Sequence, residues 1–171
     1  DYNGENPFFL QCSFPDPHHP FTPPGKYWNM YNPDDIELPK NYMLGRSPIL
    51  DHIRSEYDKG TANRETTLPY AVSEKEAREA IALTYGMLTM IDDWIGRIIR
   101  TLHDQKLLEN TVIIFASDHG DYMADHGVML KGPIHTQGLI RTPFIWSDPQ
   151  AAGQAQIDQL CSAIDIAPTI M

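Results

Sequence analysis

The sequence predicts an α/β fold in which a mainly parallel sheet is flanked by helices. The strongest strand signal is an apolar run at residues 112–117, which is rich in β-branched and aromatic side chains. The strongest helix signal is a long apolar stripe at helical spacing in residues 73–104. These elements follow one another as strand, long helix, strand, loop, strand and helix, which is the order typical of α/β domains. With 171 residues, 42 % of them hydrophobic, the chain is long enough to bury one core.

The N-terminal part combines a predicted strand with a long irregular segment. Residues 7–13 are mostly apolar and predict a short buried strand. Five of the next residues 15–24 are prolines, which exclude a regular helix or a central strand there. We therefore expect residues 14–72 to be irregular, with short helical pieces at most, and to form loops on the substrate side. Such long loops in compact domains are usually functional.

The long helix is predicted from its first turn and its apolar period. Ser73 and Glu76 have the spacing of a capping box, with serine at the N-cap and glutamate three residues later. The apolar stripe that follows consists of Ile81, Tyr85, Leu88, Ile91, Ile95, Ile98 and Leu102. We expect this helix to span residues 73–104.

The strand predicted at residues 111–117 leads into a loop, residues 118–138, that begins with Asp118 and His119. Ligands of open α/β sheets bind beyond the carboxyl ends of the strands. Two neighbouring side chains at such a bend can converge on one metal ion, although taken alone the pair is more ordinarily a capped strand end with an N-capping aspartate. Gly120 is expected to let the backbone turn sharply. Further along, residues 142–146 predict a short strand and residues 156–171 a helix interrupted by Pro168.

Charge and composition exclude several classes of function. The net charge of −10 argues against nucleic-acid binding, which needs clustered lysine and arginine. No apolar run reaches the roughly 18 residues of a membrane span. Cys12 and Cys161 are expected to be buried free thiols, and no targeting pattern indicates a localisation.

Three groups of reactive side chains follow predicted strands: the pair His18 and His19, the pair Asp118 and His119, and Lys131. A metal, an imidazole and an ammonium group together would make an anion-processing site. Taken singly, Lys131 is an ordinary surface lysine and His18 an ordinary loop histidine. Asp121, Asp125 and His126 are expected to shape the loop rather than to bind a metal.

These motifs resemble the sulfatase family of the alkaline phosphatase superfamily, which includes arylsulfatases and the related phosphonate monoester hydrolases. The resemblance covers essentially the whole chain. The chain is similar to the central-to-C-terminal part of the family's catalytic domain. The matching stretches, in family order, are Asp16-Pro17-His18-His19-Pro20-Phe21, Ile91-Asp92-Asp93-Trp94-Ile95-Gly96-Arg97-Ile98, Ser117-Asp118-His119-Gly120-Asp121 with Lys131-Gly132-Pro133, Arg141-Thr142-Pro143-Phe144-Ile145 and Asp165-Ile166-Ala167-Pro168-Thr169.

The resemblance implies a role for each matching residue. Asp118 and His119 correspond to metal ligands, and Lys131, thirteen residues after Asp118, to the lysine that binds the anionic oxygens of the ester. His18 corresponds to the histidine near the leaving-group oxygen. The implied metal is Ca²⁺, with Mn²⁺ or Mg²⁺ as alternatives because His119 offers nitrogen rather than oxygen.

The resemblance also implies an incomplete alkaline-phosphatase-like sandwich, because two parts of the family's site have no match here. These are a pair of aspartates and the Cys/Ser-x-Pro-x-Arg motif whose first residue becomes formylglycine. Cys12 is followed by no such arginine. We therefore expect residues 1–171 to be a fragment of one catalytic domain, inactive alone and prone to self-association.

The full protein is expected to hydrolyse a small-molecule or saccharide sulfate ester through a covalent sulfo-enzyme intermediate. A phosphonate or phosphate ester hydrolase of the same superfamily is the first alternative. A non-catalytic module is the second, because the nucleophile and the aspartate pair are missing.

Overall fold

The computed structural model describes residues 6–65, 68–151, 153 and 156–171. The described part combines helices with short strands, which confirms the predicted α/β class. The helices are α1 (Pro48–Asp58), α2 (Glu74–Asp104), α3 (Gln137–Ile140) and α4 (Ile166–Ile170). The strands are β1 (Tyr70–Ala71), β2 (Ile113–Ala116), β3 (Val128–Met129) and β4 (Phe144–Ser147).

Helix α2 begins where its sequence predicts. The Ser73 hydroxyl accepts a hydrogen bond from the Glu76 amide, and the Glu76 carboxylate accepts one from the Ser73 amide. The helix buries Ala77, Ile81, Ala82, Thr84, Gly86, Met87 and Ile91. Tyr85 and Leu88, which belong to the predicted stripe, are 43 % and 45 % exposed. The buried face of α2 is therefore rotated away from the predicted stripe and toward small residues such as Ala77, Ala82 and Gly86.

The prediction that residues 14–72 hold only short helical pieces is wrong for α1, which runs for 11 residues. Ser47 caps this helix by accepting a hydrogen bond from the Leu50 amide, and Pro48 occupies its first turn. Leu50 and Ile53 anchor it in the core. Most of the remaining segment is irregular, and its Thr66 and Thr67 lie outside the described residues.

Both strand pairs in the described part of the chain are antiparallel. Strand β1 pairs with β3, and β2 pairs with β4 so that Ile113 lies opposite Ser147. The parallel pairing that the order of elements favours does not occur between these four strands. Strand β2 is partly exposed, because β4 is its one neighbour among the described residues.

Three further expectations about the ends of the chain are wrong. Residues 7–13 form no strand, since none of the described residues pairs with them. Toward the C-terminus, helical structure is confined to a 3-10 turn at Ala163–Asp165 and to α4. Cys12 and Cys161 are free, as expected, but they are exposed rather than buried.

None of the described helices is long and apolar enough to cross a membrane.

The core consists of two clusters that meet at the segment following β2. One cluster packs α2 against Ile36, Val72, Ala124, Met129 and Leu130. The other packs α1 against Ala71, Tyr122, Val128 and Leu139. Residues 122–130 contribute to both clusters, so the loop that follows Asp118 and His119 is built into the core rather than lying over it.

The start of α2 generates a prediction about pH. Hydrogen bonds from Arg64 and from Ser73 hold the pKa of Glu76 at about 2, below its ordinary value of 4.5. A depressed carboxyl pKa adds stability that is fully present above the unfolded value and is lost as the pH falls toward the folded value. We expect Glu76→Gln to destabilise the protein at pH 7, and the difference from wild type to shrink below about pH 4.5.

Urea denaturation at pH 7, 4.5 and 3 would measure this difference. Glu79→Gln is the matched control, because Glu79 lies one turn further on and approaches Lys75 only to 3.9 Å at the surface. A difference between wild type and Glu76→Gln that stays constant across this pH range would contradict the prediction.

Candidate active site

Three segments meet around an open cavity of about 530 Å³ beyond the carboxyl end of β2. Residues 118–119 continue β2, residues 131–135 follow β3, and residues 139–140 belong to the end of α3. Asp118, His119 and Lys131, which sequence reasoning selected, all line this cavity. The structure therefore brings three of the four selected residues together.

The ring of His119 has a defined tautomer. Its Nδ1 lies 2.7 Å from the carbonyl oxygen of Gly120, and because a carbonyl only accepts, Nδ1 carries the proton and donates. The lone pair is consequently on Nε2, which faces the cavity residues Lys131 at 3.2 Å and Asp118 at 3.5 Å. A backbone carbonyl that orients a histidine in this way is common behind metal-binding histidines.

Asp118 is an exposed carboxylate kept in its charged form. One oxygen accepts a hydrogen bond from the amide of His119, which holds the pKa of Asp118 below its usual value. The ammonium of Lys131 acts on the pKa in the same direction, and so does the ring of His119 when it is protonated. The side chain is 85 % exposed, so the carboxylate is accessible from the cavity.

Lys131 supplies the positive charge of the cavity. Its ammonium group donates a hydrogen bond to Nε2 of His119 at 3.2 Å. Within the described part of the chain it forms no ion pair with a carboxylate. In a chain of net charge −10, an ammonium left unpaired beside a cavity creates a local site for an anion.

Tyr122 fixes the distance between the segment that carries Asp118 and His119 and the segment that carries Lys131. It is 1 % exposed, its amide donates to the carbonyl of Leu130 at 2.8 Å, and its hydroxyl accepts from the amide of Ile134 at 3.0 Å. These bonds hold the backbone on both sides of Lys131. Sequence reasoning passed over Tyr122, because a single tyrosine carries no signal of this role.

Gly120 is required by a close approach rather than by a turn. Its φ is not in the left-handed region, but a Cβ at this position would collide with the carbonyl oxygen of Gly138. Its amide donates to the carbonyl of Leu139 at 2.8 Å. The glycine therefore allows the segment around α3 to close one side of the cavity.

The backbone between Tyr122 and Lys131 is strained and braced from α1. Met123, Ala124, His126 and Leu130 have positive φ, an uncommon conformation for residues other than glycine. Arg54 of α1 donates to the carbonyl oxygens of His126, Leu44 and Gly45 at 2.7 to 2.9 Å. Strained backbone persists where its surroundings over-determine it, and it clusters at functional sites.

The two histidines of the proline-rich loop are stacked, with ring centroids 4.0 Å apart. Nδ1 of His18 donates to the carbonyl of His19 at 2.7 Å, so its Nε2 is free to act as a base or, when protonated, as an acid. The pKa of His19 is lowered by burial, by His18 and by the charge of Lys131. His19 thus feels Lys131 electrostatically, whereas His18 does not line the cavity.

Several other candidates are separate from the cavity lining. Burial raises the pKa of Asp121, and its carboxylate accepts from the amide of Met123, so it shapes the loop as expected. The ring of His126 donates to the carbonyl of Leu44 at 2.8 Å and is also structural.

His135 lines the cavity but was not selected from the sequence, because an isolated histidine belongs to no motif.

The spacing of Asp118 and His119 suits two ligands of one divalent cation. Two ligands at about 2.4 Å from one cation and at right angles stand about 3.4 Å apart, close to the 3.5 Å between Asp118 and His119. No group of three or more histidine, cysteine or acidic side chains that could hold an ion occurs among the described residues. The pair therefore fits part of the coordination sphere of a divalent metal.

A solved structure shows the fold. The phosphonate monoester hydrolase of Agrobacterium radiobacter superposes with a TM-score of 0.66 at 24 % identity, over 86 % of this chain and 30 % of that one. The chain thus shares part of the fold of that protein.

Sequence comparison then shows the family. The family model described as Sulfatase matches residues 1–171, and the chain belongs to the sulfatase family. An arylsulfatase of Clostridium perfringens is 34 % identical over 96 % of this chain and 33 % of its own length. The multifunctional alkaline phosphatase superfamily protein PehA of Trinickia caryophylli is 31 % identical over 96 % and 34 %. The chain therefore spans about one third of the length of these relatives.

The role of Tyr122 generates a prediction. Tyr122→Phe removes the acceptor of the Ile134 amide and leaves a partly buried donor unpaired. We expect the free energy of unfolding to fall by about 1–3 kcal/mol, measured by chemical denaturation. Tyr31→Phe is the matched control, because the hydrogen bond between its hydroxyl and that of Thr89 is exposed to solvent, and a change within about 0.5 kcal/mol is expected. Equal losses in the two variants would contradict the role assigned to Tyr122.

Proposed function

We propose that the protein containing this chain is a sulfuric ester hydrolase and that these residues form part of its active site. The observation that carries the proposal is the convergence of Asp118, His119 and Lys131 on one cavity. A carboxylate and an imidazole suited to a divalent cation, beside an unpaired ammonium, suit a site for a tetrahedral anion.

Each side chain has a role in this proposal. Lys131 binds the anionic oxygens of the sulfate group, and Asp118 and His119 hold the divalent metal. When bound, the metal adds positive charge at those oxygens. His18, protonated on Nε2, gives a proton to the leaving-group oxygen as sulfur bonds to the nucleophile outside this chain and the ester sulfur–oxygen bond breaks, so that the organic part departs as an alcohol or a phenol.

The proposed metal is Ca²⁺, and Mn²⁺ and Mg²⁺ are the alternatives. Asp118 provides the oxygen that Ca²⁺ prefers, whereas Nε2 of His119 suits Mn²⁺ better. The formylglycine nucleophile is proposed to lie outside this chain. Cys12 does not fit that role, since it is followed by Ser13-Phe14-Pro15-Asp16 without the required arginine.

A phosphonate or phosphate ester hydrolase is the second candidate. It is favoured by the nitrogen that His119 offers to a metal and by the similarity of the fold to a phosphonate monoester hydrolase. The same ammonium and metal would bind the oxygens of a phosphorus ester, so the described residues serve either reaction.

The first test is a substrate comparison with the full-length protein. We expect faster turnover of 4-nitrophenyl sulfate than of a matched 4-nitrophenyl phosphonate ester, and loss of activity on metal chelation that added Ca²⁺ restores. Lys131→Ala should lower kcat/KM by a factor of about 10² to 10³, while Lys75→Ala on the exposed side of α2 should not. A strong preference for the phosphorus ester would favour the second candidate.

The second test concerns the isolated chain. We expect no sulfatase turnover and only weak Ca²⁺ binding, because two ligands leave the cation largely hydrated. We also expect self-association, since large apolar side chains are exposed on β4 and near the C-terminus, namely Phe144, Ile145, Ile157, Leu160 and Ile164. Calorimetry and sedimentation measure the two properties. Tight Ca²⁺ binding together with a monomer at high concentration would contradict both.

A non-catalytic module is the remaining alternative. Turnover by the full-length protein that depends on Lys131 would exclude it. A complete parent sequence without the Cys/Ser-x-Pro-x-Arg motif and without an aspartate pair would support it.

A further inference from the structure

The proline-rich loop holds a second histidine, His19, that has no part in the chemistry assigned above. Its ring stacks on the ring of His18, with the centroids 4.0 Å apart and the planes inclined by 29°. His19 is half-buried, whereas His18 is exposed. A half-buried ring against one face of an exposed ring restricts its rotation, because the side chain of His18 can turn away only by losing the stack.

A hydrogen bond is the other restraint on the ring of His18. Its Nδ1 donates to the carbonyl oxygen of His19 at 2.7 Å, which leaves Nε2 as the ring atom that can exchange a proton with an ester. The amide of His18 also donates to the carbonyl of Pro15 at 3.2 Å. The hydrogen bond sets the tautomer of the imidazole, and the stack sets the plane of its ring. Both restraints on the ring therefore come from one residue, His19.

The loop that carries the two histidines is fixed to helix α2. Pro23 is fully buried, and a Cβ on Gly86 of α2 would collide with the carbonyl oxygen of Tyr27. The hydroxyl of Tyr27 donates to the carboxylate of Asp93, also on α2, at 2.6 Å. The stacked pair therefore stands on a backbone that is packed against the longest helix of the described residues.

The surroundings of His19 favour its neutral form. Burial lowers the pKa of His19, and the neighbouring ring of His18 and the ammonium of Lys131 lower it further. A neutral ring presents its π face to a cation, whereas a second imidazolium would repel the first. The stack can therefore persist while His18 carries a proton on Nε2.

We infer that His19 is a positioning residue that holds the imidazole of His18 in the orientation from which Nε2 reaches the leaving-group oxygen. The inference rests on the proposed function, which assigns the leaving group to His18. In that step Nε2 gives its proton to the ester oxygen as sulfur bonds to the nucleophile outside this chain and the sulfur–oxygen bond breaks. Displacing a reacting group by about 1 Å lowers the rate by about a hundredfold, so the stack contributes to the chemical step.

The experiment varies the leaving group with the full-length protein. 4-Nitrophenolate leaves readily without a proton, whereas the phenolate of phenyl sulfate is a poorer leaving group and depends on one. His19→Ala removes the stacked ring but keeps the backbone carbonyl that binds Nδ1 of His18. This variant should lower kcat/KM by about tenfold to a hundredfold for phenyl sulfate and by less than about threefold for 4-nitrophenyl sulfate.

Further variants separate positioning from proton transfer and from folding. His19→Phe keeps a planar ring and should retain kcat/KM for phenyl sulfate within about threefold of wild type. In a His18→Ala background, His19→Ala should have no further effect, because the group that it positions is gone. The inhibition constant of inorganic sulfate, which reports on the site of Lys131, should stay unchanged in both His19 variants. His52→Ala removes an exposed histidine of α1 and should leave both substrates unaffected.

Different results overturn the positioning role of His19 and the proposed function. A His19→Ala variant that retains kcat/KM for phenyl sulfate, or that loses both substrates equally, overturns the positioning role alone. So does a loss in His19→Phe as large as that in His19→Ala, because the imidazole of His19 would then transfer the proton itself. Wild-type protein that turns over neither sulfate nor phosphonate esters overturns the proposed function, and the positioning role with it.

Discussion

The candidate site depends on one buried residue, Tyr122. Its amide and hydroxyl bind the backbone at Leu130 and at Ile134, on either side of Lys131, and its ring lies in the core at 1 % exposure. A phenol whose hydroxyl is satisfied can be buried at little cost, while an unsatisfied one is expensive. The bonds that make Tyr122 acceptable in the core are therefore the same bonds that set the position of the lysine relative to His119.

The rest of the fold supports this arrangement at a local energetic cost. Four residues other than glycine between Met123 and Leu130 adopt positive φ, each of which is unfavourable in isolation. Arg54 offsets this cost by binding the carbonyl of His126 while its own helix is held in the core by Leu50 and Ile53. Helix α1, although distant in sequence, thus belongs to the construction of the site.

Lys131 is the one ammonium group among the described residues that line the cavity, in a chain whose net charge is negative. The protein carries a net charge of −10, yet Lys131 forms no ion pair with a carboxylate of the described residues, and it donates to Nε2 of His119. Gly120 sets that tautomer through its carbonyl, and the glycine itself is required because Gly138 passes too close for a side chain. Backbone groups, more than charged neighbours, therefore set the tautomer of His119 and lower the pKa of Asp118.

Local sequence determined the elements whose signals are local. The capping box of Ser73 and Glu76 started α2 where expected, and the apolar run before Asp118 became β2, because hydrogen bonding and side-chain periodicity act over a few residues. The family motifs likewise selected Asp118, His119 and Lys131. Tertiary structure alone decided the antiparallel partner of β2, the exposure of residues 7–13, and the placement of His135 in the cavity. Strand pairing and burial depend on partners far along the chain, and a solitary tyrosine or histidine acquires its role only from the residues that fold against it.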